Sequence, residues 1–196
     1  MSSFYGPVPE PDPGQPYNKY HWVKSAMQKL QSGCLKEVPL EGVCSMNLST
    51  PLGMENGDIL NSDIAASTIG LEYIPSGARL NNEVYPPGWC AGSDDSNPLI
   101  QVNFKAKIYV TGLTTQGSSN SAYVKTYKVK YGDSTATLTY VKTSGGSAQL
   151  FIGNSDKDSH VTNRFSSMLH ARFLRINPVS KGEFYYCLRF EVLGCR

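Results

Sequence analysis

"FYYCLRFEVLGCR", residues 184–196, closes the chain and alternates as a β-strand does. Read with a period of two, Phe184, Tyr186, Leu188, Phe190 and Val192 point one way and Tyr185, Cys187, Arg189, Glu191 and Leu193 the other. The first set reads as the core face of a sheet. The same run holds two cysteines that cannot reach each other. In an extended strand Cys187 and Cys195 stand roughly 26 Å apart, against an upper limit of about 7 Å between bridged Cα atoms. Each therefore needs its own distant partner.

Upstream the texture is similar. Short β-type runs divided by Gly, Ser, Asn and Asp begin after Cys44: "LIQVNF" (99–104), "KIYVTGLTTQG" (107–117), "YVKTYKVKYG" (123–132), "ATLTYVKT" (136–143), "AQLFIGN" (148–154) and "ARFLRINP" (171–178). In the third, Tyr123, Tyr127, Val129 and Tyr131 share a face while Thr126, Lys128 and Lys130 occupy the other, as a strand with one wet side requires. An antiparallel sandwich or barrel follows. No internal repeat and no glycine-rich phosphate loop interrupts the pattern, which excludes repeat and nucleotide-binding architectures.

With 196 residues, 40% of them apolar, the chain can bury one sizeable core. A formal net charge of +2 gives no electrostatic argument for nucleic acid. No run is long enough for a transmembrane helix, and "MSSFYGPVPEPD" lacks the apolar stretch of a secretion signal. The five cysteines show no C-x-x-C spacing and no adjoining histidines, so disulfides are a better reading than zinc. That points to an oxidising, extracellular compartment and a mature fragment of a secreted protein. An odd count leaves one thiol over.

Residues 1–19 are a proline-rich arm, extended or disordered. Residues 20–43 hold a short amphipathic helix, with Val23, Ala26, Met27 and Leu30 at helical spacing, Asn18 as cap and Gly33 as stop. This helix either packs on its own domain or joins subunits into a homo-oligomer, helped by Cys34. Residues 44–196 form the β-domain.

Four stretches, in order and spacing, carry a resemblance that spans this domain: "CSMNLSTPLGMENGDILNSDIAAS" (44–67), "PLIQVNFKAKIYVTGLTTQG" (98–117), "YVKTYKVKYG" with "FIGNSDKDSHVTNRF" (151–165), and "LHARFLRINP" (169–178) followed by "CLRFEVLGC" (187–195). Together they resemble the discoidin domain, or coagulation-factor type C domain. The resemblance implies an all-β, eight-stranded, jelly-roll-like antiparallel sandwich whose first and last cysteines, Cys44 and Cys195, are bridged. "GWCAG" (88–92) and "YYCLRF" (185–190) are similar to the discoidin domains of collagen-receptor kinases, which implies a second bridge, Cys90 to Cys187. Cys34 is then the free or intermolecular thiol.

In such domains one end carries the binding loops. By position these are residues 67–77, 81–88, 116–123 and, more peripherally, 180–184. The implied ligand-binding residues are Ile69, Leu71, Tyr73, Val84, Tyr85, Ser118, Asn120 and Tyr123. Phospholipid-binding members insert such tips into a bilayer, and lectin members present them to a sugar. Where the family's third loop commonly reads Thr-Gln-Gly-Arg this chain has "TTQGSS", with Ser118 in the arginine's place and Ala122 near the position of a following acid. Collagen recognition by that arrangement is not implied.

His21, His160 and His170 are scattered, with no H-E-x-x-H and no G-x-S-x-G, so the chain reads as non-enzymatic. Asp94 with Asp95 could hold calcium, although a polar turn is the simpler reading. Asp156 and Asp158 read as turn-capping carboxylates. Arg172, Arg175, Arg189 and Glu191 lie in strand runs and read as scaffold, an arginine pairing with a carboxylate across strands. Asn47 in "NLS" meets the rule for N-glycosylation. The expected function is binding of a glycan, or of a cell-surface or matrix glycoprotein, at the loop end and in adhesion. Phospholipid binding and a structural, assembly role for the arm and Cys34 are the alternatives.

Overall fold

The structure, a computed structural model, describes Cys44, residues 50–118 and residues 122–196. The proline-rich arm, the expected helix with Cys34, Asn47 and Asn120 lie outside the described residues. Among the described residues of the unit Cys44–Arg196 there are nine strands: β1 (Thr50–Pro51), β2 (Ile64–Ala66), β3 (Trp89–Cys90), β4 (Ile100–Gln116), β5 (Val124–Gly132), β6 (Thr139–Tyr140), β7 (Phe151–Ile152), β8 (Val161–Lys181) and β9 (Cys187–Cys195). Two short 3₁₀ turns, Asn61–Asp63 and Pro75–Ala78, are inserted among them.

The hydrogen-bonded order is β1-β9-β4-β8-β5-β6, with β2 on β4, β3 on β9 and β7 on β5. All of these pairings are antiparallel. The long strands β4 and β8 turn this order into a sandwich. Their pairing is interrupted between Asn103 and Ile108 and between Val110 and Gly112, and such irregularities bend a strand. The first part of β4 joins β2 and the part of β8 that feeds β5, while its last part joins β9. One continuous core results, in which Trp89, Tyr127, Phe190, Met54 and Leu174 are among the largest fully buried side chains.

Two expectations from alternation need correction. On β9 both faces are buried, from Cys187 through Gly194, because irregular chain covers the second face. The Leu52 N–H donates to the Val192 carbonyl at 2.8 Å, and the Leu80 N–H to the Phe190 carbonyl at 3.1 Å. On β5 the register shifts between Val124 and Tyr127, so Val124, and not Tyr123, joins Tyr127 and Val129 in the core.

Cys44 is bridged to Cys195, with Cα atoms 5.7 Å apart, and Cys90 to Cys187, with Cα atoms 4.1 Å apart. The two bonds grip opposite ends of β9. The first closes the domain where its chain ends meet, and the second lies beneath the loops.

Candidate functional site

Four connections converge at the end of the sandwich where β9 begins. The Gly70 N–H donates to the Cys90 carbonyl at 2.8 Å and the Ala91 N–H to the Tyr186 carbonyl at 3.0 Å. The Gly88 N–H reaches the Gly77 carbonyl at 3.0 Å, and the Gly182 N–H reaches the Tyr123 carbonyl at 2.9 Å. Residues 67–77, 81–88, 116–118 with 122–123, and 180–186 thus form one cluster. Gly88 has φ +90°, and a Cβ there would stand 3.1 Å from the Ser118 hydroxyl. Only glycine takes that backbone conformation and that approach without strain.

Arg189 organises the cluster. Only 6% exposed, its guanidinium donates to the carbonyls of Gly117 at 2.7 Å, Asn82 at 3.1 Å and Lys157 at 2.9 Å, which belong to three different loops. This corrects its assignment to sheet scaffold. Arg189 is the third residue of β9 and stands at the loop end, and its partners are backbone carbonyls, with the Asp158 carboxylate more distant at 3.9 Å. Burial lowers its pKa, and the charges of Asp158 and Glu83 oppose that shift. A guanidinium starts so far above neutrality that it remains charged. Arg172 and Arg175 also depart from the expected carboxylate pairs, donating across strands to the side-chain amide oxygens of Asn103 and Gln101.

Above Arg189 lies a cleft of about 300 Å³ walled by Asn81, Asn82, Glu83, Gln116, Lys157 and Asp158. Its amides are largely spent on holding the walls. The Asn81 side chain donates to Glu55 at 2.9 Å, Gln116 donates to the Asp158 carbonyl at 3.0 Å and accepts the Asn81 N–H at 3.0 Å, and Asn82 donates to the Gly77 carbonyl at 3.1 Å. Glu83, Lys157 and Asp158 are the exposed charged groups at its rim.

Outside the cleft the loop tips are apolar. Leu71 is 89% exposed, Val84 76% and Tyr85 78%, and Ile69, Ile74, Phe184 and Tyr185 are each about half exposed. Leu71 has φ +52°, a left-handed conformation that costs a leucine about 1–2 kcal/mol. Lys181 stands beside the aromatic pair, donating to the Phe184 carbonyl at 2.6 Å with the Tyr185 and Tyr186 ring centres 5.9 and 5.4 Å from its Nζ.

Of the residues expected to meet a ligand, Ile69, Leu71, Val84 and Tyr85 face outward. Ser118 does not: it is 1% exposed, and its hydroxyl donates to the Pro87 carbonyl, which makes it a brace between two loops. Tyr73 is half-buried against Ala122 and the Cys90–Cys187 bridge, and Tyr123 is half-buried at the start of β5. Phe184, Tyr185, Lys157 and Arg189 were not singled out as site residues. For Arg189 a signal existed, since two residues from Cys187 is only about 7 Å along a strand.

The acidic turns are self-contained. For Asp95 burial pulls the carboxyl pKa up, but hydrogen bonds from the Ser67 and Thr68 hydroxyls and the Asn97 N–H outweigh it, and the net shift is downward. Asp156 accepts the N–H groups of Ser159 and Asp158, which also lowers its pKa. Asp94 accepts only the Ser93 hydroxyl, at 3.2 Å. Among the described residues, no three His, Cys, Asp or Glu side chains gather as metal ligands.

The arrangement predicts a split effect for Arg189→Lys. An ammonium cannot span three carbonyls set around a planar fork, so stability is expected to fall by about 1.5–3 kcal/mol. Amide exchange at Asn82, Gly117 and Lys157 should accelerate more than exchange in β5. Uniform acceleration through both regions would contradict a loop-gathering role.

The F5/8 type C domain model matches residues 63–192. Rat (Rattus norvegicus) lactadherin is 37% identical over 175 residues, covering 83% of this chain and 40% of that protein. The chain thus spans about two fifths of the length of that relative. Among solved structures, discoidin II of Dictyostelium discoideum superposes with a TM-score of 0.60 at 20% identity, over 74% of this chain and 58% of that one. The family 32 carbohydrate-binding module of NanJ from C. perfringens, solved in complex with galactose, superposes with a TM-score of 0.52 at 17% identity, over 74% of this chain and 99% of that one.

Proposed function

The chain belongs to the F5/8 type C, or discoidin, domain family, and we propose that it is a non-catalytic, extracellular binding module that docks its loop end on a membrane surface. The observation that carries this reading is the exposure of Leu71, Val84 and Tyr85 on two adjacent loops, at 89%, 76% and 78%. Apolar side chains clustered at protruding tips are held in water at a cost that a bilayer interface removes. Lys157, in the cleft wall with Glu83, and Lys181, beside Tyr185, stand at the same end, and a lysine at an anionic surface contributes about 1 kcal/mol. The disulfides fit an oxidising, extracellular setting.

A second reading, recognition of a glycan, draws on the cleft between residues 81–83, 116 and 157–158. Its polar walls are fixed by internal hydrogen bonds, as sugar sites require, and a similarly folded module was solved with galactose. The exposed tips give the membrane more weight than the sugar.

Flotation with phosphatidylserine-containing vesicles separates the two. Replacing Leu71, Val84 and Tyr85 together by Ser is expected to weaken partitioning on the order of 10²-fold, at roughly 1 kcal/mol for each side chain, with an unchanged melting temperature. Undiminished flotation of the triple variant would overturn the membrane reading. Glycan-array binding that survives this triple but is lost with Glu83→Gln/Asp158→Asn would establish the second reading in its place.

A further inference from the structure

We infer that the outer face of the β5–β8 layer is a second binding surface, for a linear sulfated polysaccharide. On β5 the core side carries Tyr127 and Val129, so Lys128 and Lys130 project outward. They stand about 7 Å apart along the strand. Arg175 of β8 lies directly opposite Lys130 on one side and Tyr140 of β6 directly opposite on the other. Lys142, exposed, follows two residues beyond Tyr140, with Val141 between them in the core. Arg172, at the interruption in β8, adds a fifth cation beside Asn103.

These charges are held in place without being neutralised. The Tyr140 ring centre lies 4.5 Å from the Lys130 Nζ and 5.8 Å from the Lys128 Nζ, and Arg175 is fixed by two hydrogen bonds, at 3.0 and 2.8 Å, to the Gln101 side-chain oxygen. Among the described residues, none of the five cations is in an ion pair. Asp133, which follows directly after β5, is taken by Lys107 at 2.5 Å. Cations fixed by ring and amide contacts lose little further side-chain freedom when an anion arrives.

Charge complementarity selects a polyanion, and the shape of the face selects a linear polysaccharide over a bilayer. Where the cations stand the face is a wet sheet surface, Tyr140 and Phe173 being half-buried beside the lysines and Arg172; the exposed apolar Ile152 stands apart from them, opposite Thr126 near the start of β5. It lies on the flank of the sandwich, whereas the apolar tips stand at its end. A bilayer engaging the tips leaves this flank open to a flexible chain that can lie across the strands. Sulfate is ionised throughout the physiological range, so such binding depends on salt far more than on pH between about 6 and 8.

Chromatography of the chain on immobilised heparin tests the inference. The unaltered protein is expected to be retained at about 0.15 M salt and released above it. Lys128→Gln/Lys130→Gln/Arg175→Gln is expected to elute near that concentration, with affinity for a heparin oligosaccharide weakened roughly tenfold or more and a salt dependence shallower by about two to three charges. Lys128→Arg/Lys130→Arg should be retained as the parent is, and so should the Ser triple at Leu71, Val84 and Tyr85. If the triple Gln variant fails to fold, Lys142→Gln, at an exposed position, must still elute earlier than the parent. Failure of the parent to bind heparin, or unshifted elution of the Gln variants, overturns the inference. So does a parallel loss of heparin and phosphatidylserine-vesicle binding, which would make the face an electrostatic membrane contact.

Discussion

Truncating Glu191 to Ala is expected to destabilise the domain by about 3–5 kcal/mol, among the largest effects of any single side chain in the β-domain. Its carboxylate is 1% exposed amid the apolar core and accepts three backbone N–H groups, those of Met54 at 3.0 Å, Glu55 at 2.8 Å and Val192 at 2.8 Å. The counter-charge is Arg79, whose guanidinium donates to the carbonyls of Met54 at 2.6 Å and Ile59 at 2.7 Å. Burial lowers the Arg79 pKa and the charge of Glu191 opposes that shift. The irregular segment around residues 54–59 is therefore held from its N–H side by an anion and from its C=O side by a cation. Alanine at 191 leaves three donors without their acceptor and a half-buried guanidinium without its counter-charge. Glu191→Gln keeps the shape but turns an amide NH₂ toward backbone donors, so it should recover only part of the loss. Urea denaturation measures both: the midpoint should fall at nearly constant slope. A loss under about 1 kcal/mol for the Ala variant would mean that water replaces the carboxylate and that the segment is not held in this way.

The second large effect concerns the disulfides. Taken alone, the Cys44–Cys195 bridge closes a separation of 151 residues, worth about 5 kcal/mol on the chain-entropy model. The bridges are nested, however, since Cys90–Cys187 closes 97 residues inside the outer loop. With the inner bond intact, opening the outer one releases only the residues from 44 to 90 and from 187 to 195, a ring of about 55, and the expected loss falls to about 4 kcal/mol. Cys44→Ser/Cys195→Ser should therefore cost about 4 kcal/mol in urea and leave vesicle binding unchanged, because the outer bond lies roughly 26 Å from the loops along β9. Cys90→Ser/Cys187→Ser should cost a similar amount but also impair binding, since Tyr73 and Ala122 pack on that bond. Equal binding by the two variants would show that the inner bridge does not support the loops.

Much of this arrangement was legible in particular residues. The alternation in "FYYCLRFEVLGCR" marks a real strand, and its two cysteines do lead to distant partners. Its second buried face was not legible, because the cover comes from residues 52–55 and 79–80, which carry no strand pattern of their own. Tyr123 was misplaced for a related reason: a register shift between Val124 and Tyr127 leaves no mark on hydrophobic periodicity. At the loop end, the outward placement of Leu71, Val84 and Tyr85 agrees with the loop positions that the resemblance implies. Ser118 and Tyr73 could be judged only by burial, since a serine or tyrosine in a loop can meet a ligand or brace the loop. Arg189 shows the limit of period-two reasoning, which assigns a residue to a face of the sheet but not to an end.

The Cys44–Cys195 bridge also sets how the domain bears tension. Its Cα atoms are 5.7 Å apart, so a pull on the segments before Cys44 and after Cys195 passes through one covalent bond instead of through the strands. In a sandwich without this bond, pulled at both ends, β1 and β9 would be the first strands to part, and the loss would spread through β4 to the loops. With the bridge closed, the domain behaves as a rigid bead on a cord: load crosses it without loosening the loop end, and a bound surface is felt only through rotation of the whole bead. Reduction of that one bond would turn a force-indifferent module into a force-sensitive one.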